Sequence, residues 1–181
     1  MSSVVISGDT SGAITVSAPA VSGTTTITMP AVSGTMSVLP TTPSVVRLNT
    51  ANGYGSTNTV IRRFTTAVTN QGSDITYADS ATLGATFTIN TTGIYSVSYT
   101  DNFTAANTMG ISLNSNQLTT VIYSITQSAI LMTSQAGSTP NGISWTGLLT
   151  AADVIRAHTT GAATGTNGGA ASTFFTIVRV A

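Results

Sequence analysis

Few side chains of this protein could do acid–base or nucleophilic chemistry. The chain contains one histidine, His158, with five aspartates, five arginines and no cysteine, lysine or glutamate. A serine hydrolase would need a Gly-x-Ser-x-Gly turn beside its base, and no such turn is present. One histidine without cysteine cannot supply the three or four ligands of a zinc site. We therefore predict a solvent-facing or subunit-facing histidine, and no catalytic, cofactor-binding or metal residue.

The aspartates leave two weaker possibilities open. Glycoside hydrolysis needs two carboxyl groups about 5–9 Å apart, so a carbohydrate depolymerase is kept as a third function. Asp74 and Asp79 could contribute to a calcium site, but such a site takes about six to eight oxygen ligands, and the sequence indicates no others. Asp153 follows a turn and precedes a strand, where a structural hydrogen bond to the turn is the simpler role.

Two other motifs could take part in binding. Arg62 and Arg63 are adjacent, so on a strand they would point to opposite faces, and at least one should meet a carboxylate or a neighbouring subunit. A solvated arginine pair is the alternative. The glycine-rich stretch 159–172, TTGAATGTNGGAAS, lacks the lysine and spacing of a phosphate-binding loop, so we interpret it as a long connection. Candidate host-contact residues in or near this loop and the loop 134–142 are Trp145, Asn141, Asn167 and Thr166.

The composition is unusually poor in charge. Hydrophobic residues make up 41% of the 181 residues and charged residues 6%, with a formal net charge of zero, whereas charged residues usually make up about a quarter of a chain. Nothing therefore steers the protein toward nucleic acid or an anionic membrane. A surface with so little charge tends to associate. We predict that other subunits cover much of it.

The beginning of the chain, MSSVVISGDTSG, has neither the basic segment nor the apolar core of a signal peptide. No run of about 18 apolar residues predicts a transmembrane helix. We expect synthesis in a cytoplasm, without membrane insertion.

Strands dominate the predicted secondary structure. Serine, threonine, glycine, valine and isoleucine are abundant, which favours strands and turns over helices. Apolar and polar residues alternate in 94–99, which places Tyr95, Val97 and Tyr99 on one face of a half-buried strand. Further strands are predicted at 60–64, 86–89, 109–113, 143–149, 154–158 and 173–180.

Residues 117–132 fit two patterns. Leu118, Val121, Ile122 and Ile125 could form the apolar stripe of a helix. The segment is also rich in β-branched residues, whose restricted χ1 angles disfavour helix. We favour two strands and keep the helix as the alternative.

The N-terminal region repeats itself every eleven residues. Ser-Gly recurs at 11–12, 22–23 and 33–34, and Pro-Ala-Val at 19–21 and 30–32. Each unit combines a turn, a short β-branched strand (14–16, then 24–28) and a proline, and it cannot bury its own apolar face. Copies from several chains wound about one axis would bury it, so we predict a short intertwined β stalk. A flexible tail is the alternative.

The segment Pro40-Thr41-Thr42-Pro43 interrupts any regular element and divides the chain. We predict a repetitive segment at 1–44 and a complete all-β domain at 45–181.

This second domain resembles a known family. The stretch TFTINTTGIYSVSY at 86–99 carries a Gly-x-Tyr strand start at Gly93 and Tyr95, and LTAADVI at 149–155 carries a late Asp-aliphatic motif, with Ala152 in place of the usual glycine. Both are similar to the jelly-roll family that contains the complement globular heads and tumour necrosis factor. The resemblance implies an antiparallel jelly-roll sandwich that forms a homotrimer through a broad apolar face. Candidates for core and trimer interface are Tyr95, Tyr99, Phe103, Phe174 and Phe175, and their sorting depends on strand register.

The repeat in turn resembles the Ser-Gly-Thr-Thr-Thr-Ile-Thr-x-Pro-Ala pattern of bacteriophage tail-fibre and virion structural proteins. Together the two resemblances imply a structural virion protein without enzymatic activity, a trimeric fibre, spike or head appendage. Residues 1–44 would form a stalk or dock on other virion proteins, and the knob would adhere to a host surface glycan or protein. A capsid decoration protein without host binding is the alternative. We expect the protein in the virion, after synthesis in the bacterial cytoplasm.

Overall fold

The structure is a computed structural model that describes residues 3–7, 13–17, 43–49, 53–57, 59–103, 105–137, 141–160 and 172–181. The chain divides into two compact units, residues 1–38 and residues 39–181. We call the second unit the knob.

The first unit contains a two-stranded antiparallel ribbon, β1 (Ser3–Ser7) paired with β2 (Ala13–Ser17). Val5, Ile6 and Val16 are all more than half exposed in it. Because Val5 and Ile6 are adjacent, they point to opposite sides, so both faces of the ribbon present apolar side chains. The strand predicted at 14–16 is confirmed; the one predicted at 24–28 lies outside the described residues. The stalk remains a prediction.

The described part of the knob is built from strands. They are β3 (Val45–Asn49), β4 (Thr66–Gln71), β5 (Ile75–Ser80), β6 (Gly84–Ile89), β7 (Gly93–Asp101), β8 (Met109–Leu113), β9 (Ile130–Thr133), β10 (Asn141–Leu149), β11 (Val154–Thr159) and β12 (Phe174–Arg179). None of the described segments is a helix long and apolar enough to span a membrane.

The knob is a sandwich of two five-stranded antiparallel sheets. The first has the order β10-β7-β12-β3-β4 and the second the order β5-β6-β11-β8-β9. Neighbours in the sheets are mostly distant in sequence, as in a jelly roll, where strands cross between sheets instead of forming successive hairpins. The predicted fold class, an all-β antiparallel jelly-roll sandwich, is confirmed.

The core between the sheets follows from the alternation along each strand. Tyr95, Val97 and Tyr99 of β7 are fully buried and face the second sheet. Phe175 of β12 stacks on Phe87 of β6, with ring centroids 4.4 Å apart and planes inclined by 23°. Such aromatic contacts pack the inner faces of the two sheets against each other.

Two predicted elements are absent from the structure. Residues 60–64 form only isolated bridges, between Ile61 and His158 and between Arg62 and Tyr54. The segment is buried on more than one side, since Val60, Ile61 and Phe64 are all buried, and it hydrogen-bonds to loops and to β11 without extended pairing. Val60 N, for example, donates to Leu118 O (2.8 Å).

Residues 117–132 are neither two strands nor one helix. They form two 3₁₀ turns, Ile122–Ser124 and Gln127–Ala129, followed by β9. Ile122 is buried against Gly110 of β8, where a Cβ atom on the glycine would collide with it. The apolar stripe thus anchors an irregular segment, residues 114–129, over the outer surface of the second sheet. We call it the cover segment.

Candidate functional site

The outward side of the first sheet is the main candidate for a binding surface, because no described part of the knob covers it as the cover segment covers the second sheet. We call it the open face. The open face consists of the residues that alternate with the buried residues along β7, β12, β3 and β10, as the strand register shows. These residues are half-buried or exposed.

Hydroxyl groups occupy the middle of the open face. Ser144, Ser98 and Thr176 are aligned across β10, β7 and β12, and Thr146 lies opposite Ser96 in the next row. Thr146 Oγ1 donates to Ser96 Oγ at 3.3 Å. Short uncharged side chains make this surface flat and inexpensive to desolvate compared with a charged one.

One aromatic side chain lies on the open face. Phe174 of β12 stands outward, and the guanidinium of Arg47 lies above its ring, 4.5 Å from the centroid. This cation–π contact keeps the Arg47 guanidinium beside the Phe174 ring. Arg47 is the single formally charged side chain on the described part of the face, which contains no carboxylate.

Aliphatic residues occupy one end of the open face. Ile94 pairs with Leu148, and Val180 N donates to Ile94 O at 2.7 Å, which places the three side chains together. They are 37%, 61% and 56% exposed, respectively. An exposed aliphatic cluster beside a hydroxyl-lined, nearly uncharged sheet is typical of a surface that associates with another protein.

The structure sorts the aromatic residues that were predicted for core or interface. Tyr95, Tyr99, Phe103 and Phe175 are buried within the knob. Only Phe174 lies outward and is accessible to another subunit. The separation follows from register, which places neighbouring Phe174 and Phe175 on opposite faces of β12.

The fold is similar to that of murine APRIL. Its crystal structure at pH 8.0 aligns with a TM-score of 0.54 and 16% identity, over 76% of this chain and 99% of that chain. The structure at pH 5.0 gives a TM-score of 0.51 with the same identity and coverage. The crystal structure of GITRL from bushbaby gives 0.49 and 13%, over 76% of this chain and 94% of that chain.

The predicted resemblance to the tumour necrosis factor family is confirmed for the fold. At such low identity the likeness shows the fold alone. No protein-family model matches the sequence, and no curated protein is significantly similar to it.

The four predicted host-contact residues are not brought together by the described structure. Trp145 lies on the inner side of β10, half-buried against the core, with its ring over Gly147. Asn141 begins β10 and donates through Nδ2 to Gln135 O at 3.1 Å. Thr166 and Asn167 lie outside the described residues. Host contact by these residues stays a prediction.

Both adjacent arginines meet carboxylates, as predicted for at least one. Arg62 is buried and donates to Asp101 through Nε (2.8 Å) and Nη2 (3.2 Å). Arg63 donates through Nε to Asp79 at 3.2 Å in a more accessible pair. Tyr99 adds a hydrogen bond to Asp101 Oδ2 at 2.6 Å. The buried pair ties β7 to the loop before β4.

Asp153 has the structural role predicted for it. Its Oδ2 accepts hydrogen bonds from Thr150 N (2.8 Å) and Thr150 Oγ1 (2.9 Å), and its Oδ1 from Asn114 Nδ2 (2.7 Å). Partial burial disfavours the charged form, but these hydrogen bonds prevail and lower the pKa of Asp153. In the described chain no three His, Asp or Glu side chains lie close enough to hold a metal ion.

His158 is buried within the knob, so the predicted solvent-facing or subunit-facing position is wrong. The side chain lies beneath the cover segment, with Nε2 2.7 Å from Thr120 O. Burial lowers its pKa, so the neutral ring donates from Nε2 to that carbonyl. Among the described hydrogen bonds, none joins a serine or threonine hydroxyl group to the His158 ring. The residue fastens the cover segment to β11.

Sequence analysis missed the non-aromatic part of the open face. Ser96 and Ser98 were visible as the polar half of the alternation in β7, but nothing in the sequence showed that Ser144, Thr176 and Arg47 would align beside them. That alignment depends on pairings between strands up to about 130 residues apart in the chain. Chemically, the face can bury itself against a protein surface.

Proposed function

We propose that the protein is a structural component of a bacteriophage virion, a homotrimeric fibre, spike or head appendage. The open face supports the trimer. It is flat, nearly uncharged and bears exposed aliphatic residues at one end, so self-association would remove apolar surface from water without desolvating many charges. The fold likeness is compatible with this assembly.

The N-terminal unit supports the appendage role. Its ribbon has exposed apolar side chains on both faces, and the sequence from residue 11 to residue 36 repeats a turn-strand-proline pattern at eleven-residue spacing. A two-stranded ribbon of this kind is marginal in water and needs partners. We propose that residues 1–44 supply either a stalk, built with the same segments of two further copies, or a docking segment for other virion proteins.

The test places charge on the open face. The double variant Ser144→Glu/Thr146→Glu should turn the trimer into a folded monomer, because each interface would bury several unpaired carboxylates. Thr76→Glu/Ala78→Glu is the matched control, since Thr76 and Ala78 are both exposed on a strand of the other sheet. Light scattering gives the mass, and circular dichroism the fold. A monomeric wild-type protein at micromolar concentration, or a trimeric double variant, contradicts the proposal.

We further propose that the knob adheres to the host surface, where three weak sites on one rigid trimer gain avidity. The purified trimer should bind host cells and reduce infection by competition. If infection is unaffected but particles lacking the protein lose capsid stability, the protein is a capsid decoration protein instead.

A further inference from the structure

We propose that a depression on the outer side of the cover segment is the adhesive site, and that it binds a neutral glycan. This inference rests on the proposed host-adhesion function. The depression has a volume of about 360 Å³, at the lower end of the roughly 300–1,000 Å³ that small-molecule sites occupy. Its polar lining consists of Asn114, Ser115, Asn116, Gln117, Thr126 and Ser128.

Hydrogen bonds fix the walls of the depression, and among its polar side chains they leave the Gln117 amide nitrogen, Asn116 and Ser128 without a described partner. Asn114 has a left-handed backbone (φ 52°), and its side chain accepts from Val154 N and donates to Asp153, both at 2.7 Å. Arg156 Nη1 donates to Ser115 O at 3.1 Å from behind. The β8–β11 end of the sandwich therefore holds one wall in place before any ligand arrives.

The opposite wall is held by Gln117. Its Oε1 accepts from Thr126 N (2.8 Å) and Thr126 Oγ1 (2.9 Å), which joins the two ends of the cover segment. With its oxygen fixed in this way, the amide nitrogen is oriented and has no hydrogen-bond partner among the described residues. The side chains of Asn116 and Ser128 are exposed and likewise have no described partner.

This set of groups matches the chemistry of a sugar. Amides and hydroxyls can both donate and accept, as the hydroxyl groups of a glycan require. No lining residue is charged, so the site offers nothing to neutralise a sulfate, a phosphate or the carboxylate of a sialic acid. The Ala129 methyl group adds a small apolar surface for a sugar ring. A neutral oligosaccharide is therefore the favoured ligand class.

The experiment applies the purified full-length protein to an array of immobilised neutral and sialylated oligosaccharides. We expect retention on neutral oligosaccharides, weakened about tenfold or more in Asn116→Ala/Ser128→Ala, because two ligand hydrogen bonds are lost. Ser128→Trp, which fills the depression, should abolish retention. Ser124→Ala is the control, since Ser124 is an exposed serine of the same segment outside the depression.

Several results would overturn the inference: no retention on any neutral oligosaccharide, retention on sialylated ones alone, or unchanged retention of Ser128→Trp. Cell binding separates this failure from that of the proposed function. If cells bind wild type and Ser128→Trp equally, host adhesion is retained but this depression is not the adhesive site. If protease treatment of the cells removes binding and periodate treatment does not, the receptor is a protein and the glycan inference is wrong. A trimer that binds no host cell overturns both.

Discussion

The ion pair between Arg62 and Asp101 is the most deeply buried of the ion pairs among the described residues of the knob. Asp101 also accepts hydrogen bonds from Tyr99 and from Thr173 Oγ1 (2.9 Å), which joins the start of β12 to the end of β7. Burial raises the pKa of the adjacent Tyr54 to about 12, so its ring faces Arg62 as a neutral phenol. The ion pair is fully desolvated, so its contribution to stability depends on these hydrogen bonds to the buried charges.

We predict that Asp101→Asn destabilises the knob by about 3–5 kcal/mol, because it leaves the Arg62 charge buried without a counter-ion. Asp79→Asn is the control, since its partner Arg63 is partly exposed and the loss should stay at about 1 kcal/mol or less. Urea unfolding measures both free energies of unfolding. Equal losses in the two variants would contradict the prediction.

His158 should make stability depend on pH. Its folded-state pKa is lowered by burial and by nearby Arg156, despite the hydrogen bond with Thr120 O, whereas the unfolded value is about 6.5. Below pH about 6.5 the unfolded chain therefore binds a proton that the folded chain does not, and stability falls as pH falls, by at most about 1.4 kcal/mol per pH unit.

We expect this slope as pH falls below about 6.5 in wild-type protein and not in His158→Gln, whose amide can still donate to Thr120 O. The hydrogen-bonded carboxylates of Asp74 and Asp153 have lowered pKa values, so their stabilising effect is lost only at more acidic pH and does not interfere. The readout is the urea midpoint at several pH values. The same slope in His158→Gln would show that another group titrates.

The cover segment depends on a glycine in the strand beneath it. Gly110→Ala would place a methyl group where Ile122 packs, and we predict a loss of about 1–3 kcal/mol from overpacking. Adding Ile122→Ala should make Gly110→Ala less costly, as expected for coupled residues in contact. Gly137→Ala is the control, because its added Cβ would meet the nearest atom, Asn141 Nδ2, at an ordinary 3.5 Å. Additive losses in the double variant would contradict the contact.

Strand periodicity allowed most of the sandwich to be predicted, but only where the two faces of a strand differ. β6, β7, β8, β10, β11 and β12 were recognised because buried and polar residues alternate in them or because they are short apolar runs between turn signals. β3, β4 and β5 were not predicted. β3 begins with two adjacent valines, so its sequence does not alternate. β4 is nearly all exposed at a sheet edge, and β5 is the edge strand of the other sheet with a single buried residue. Residues 117–132 were misassigned because their apolar side chains are spaced to contact the sheet beneath an irregular segment. That spacing does not follow the periodicity of a helix or a strand.

The candidate site was less predictable than the fold. Aromatic residues were the natural choice for an interface, yet four of the five fill the core. The polar depression combines side chains from residues 114–117 and 126–129, and an irregular chain path brings them together. No periodic pattern encodes such a path.

The molecule as a whole divides into two compact units, residues 1–38 and residues 39–181. The knob core is made entirely of residues 46–177, so we predict that deletion of residues 1–38 leaves it folded and trimeric but unable to attach to particles. Light scattering and a particle-binding assay measure the two properties. A monomeric deletion variant would assign trimer formation to the N-terminal unit, contrary to the role given to the open face.

The position of Trp145, the single tryptophan of the chain, gives the protein an internal spectroscopic probe. Its indole rests on Gly147 at the edge strand β10, partly screened from water. Separation of the two sheets along that seam would hydrate the ring and shift its fluorescence to the red. Dissociation of the proposed trimer through the open face should leave the indole, on the other side of the same sheet, in the same environment. One emission spectrum thus distinguishes loss of tertiary structure from loss of quaternary structure.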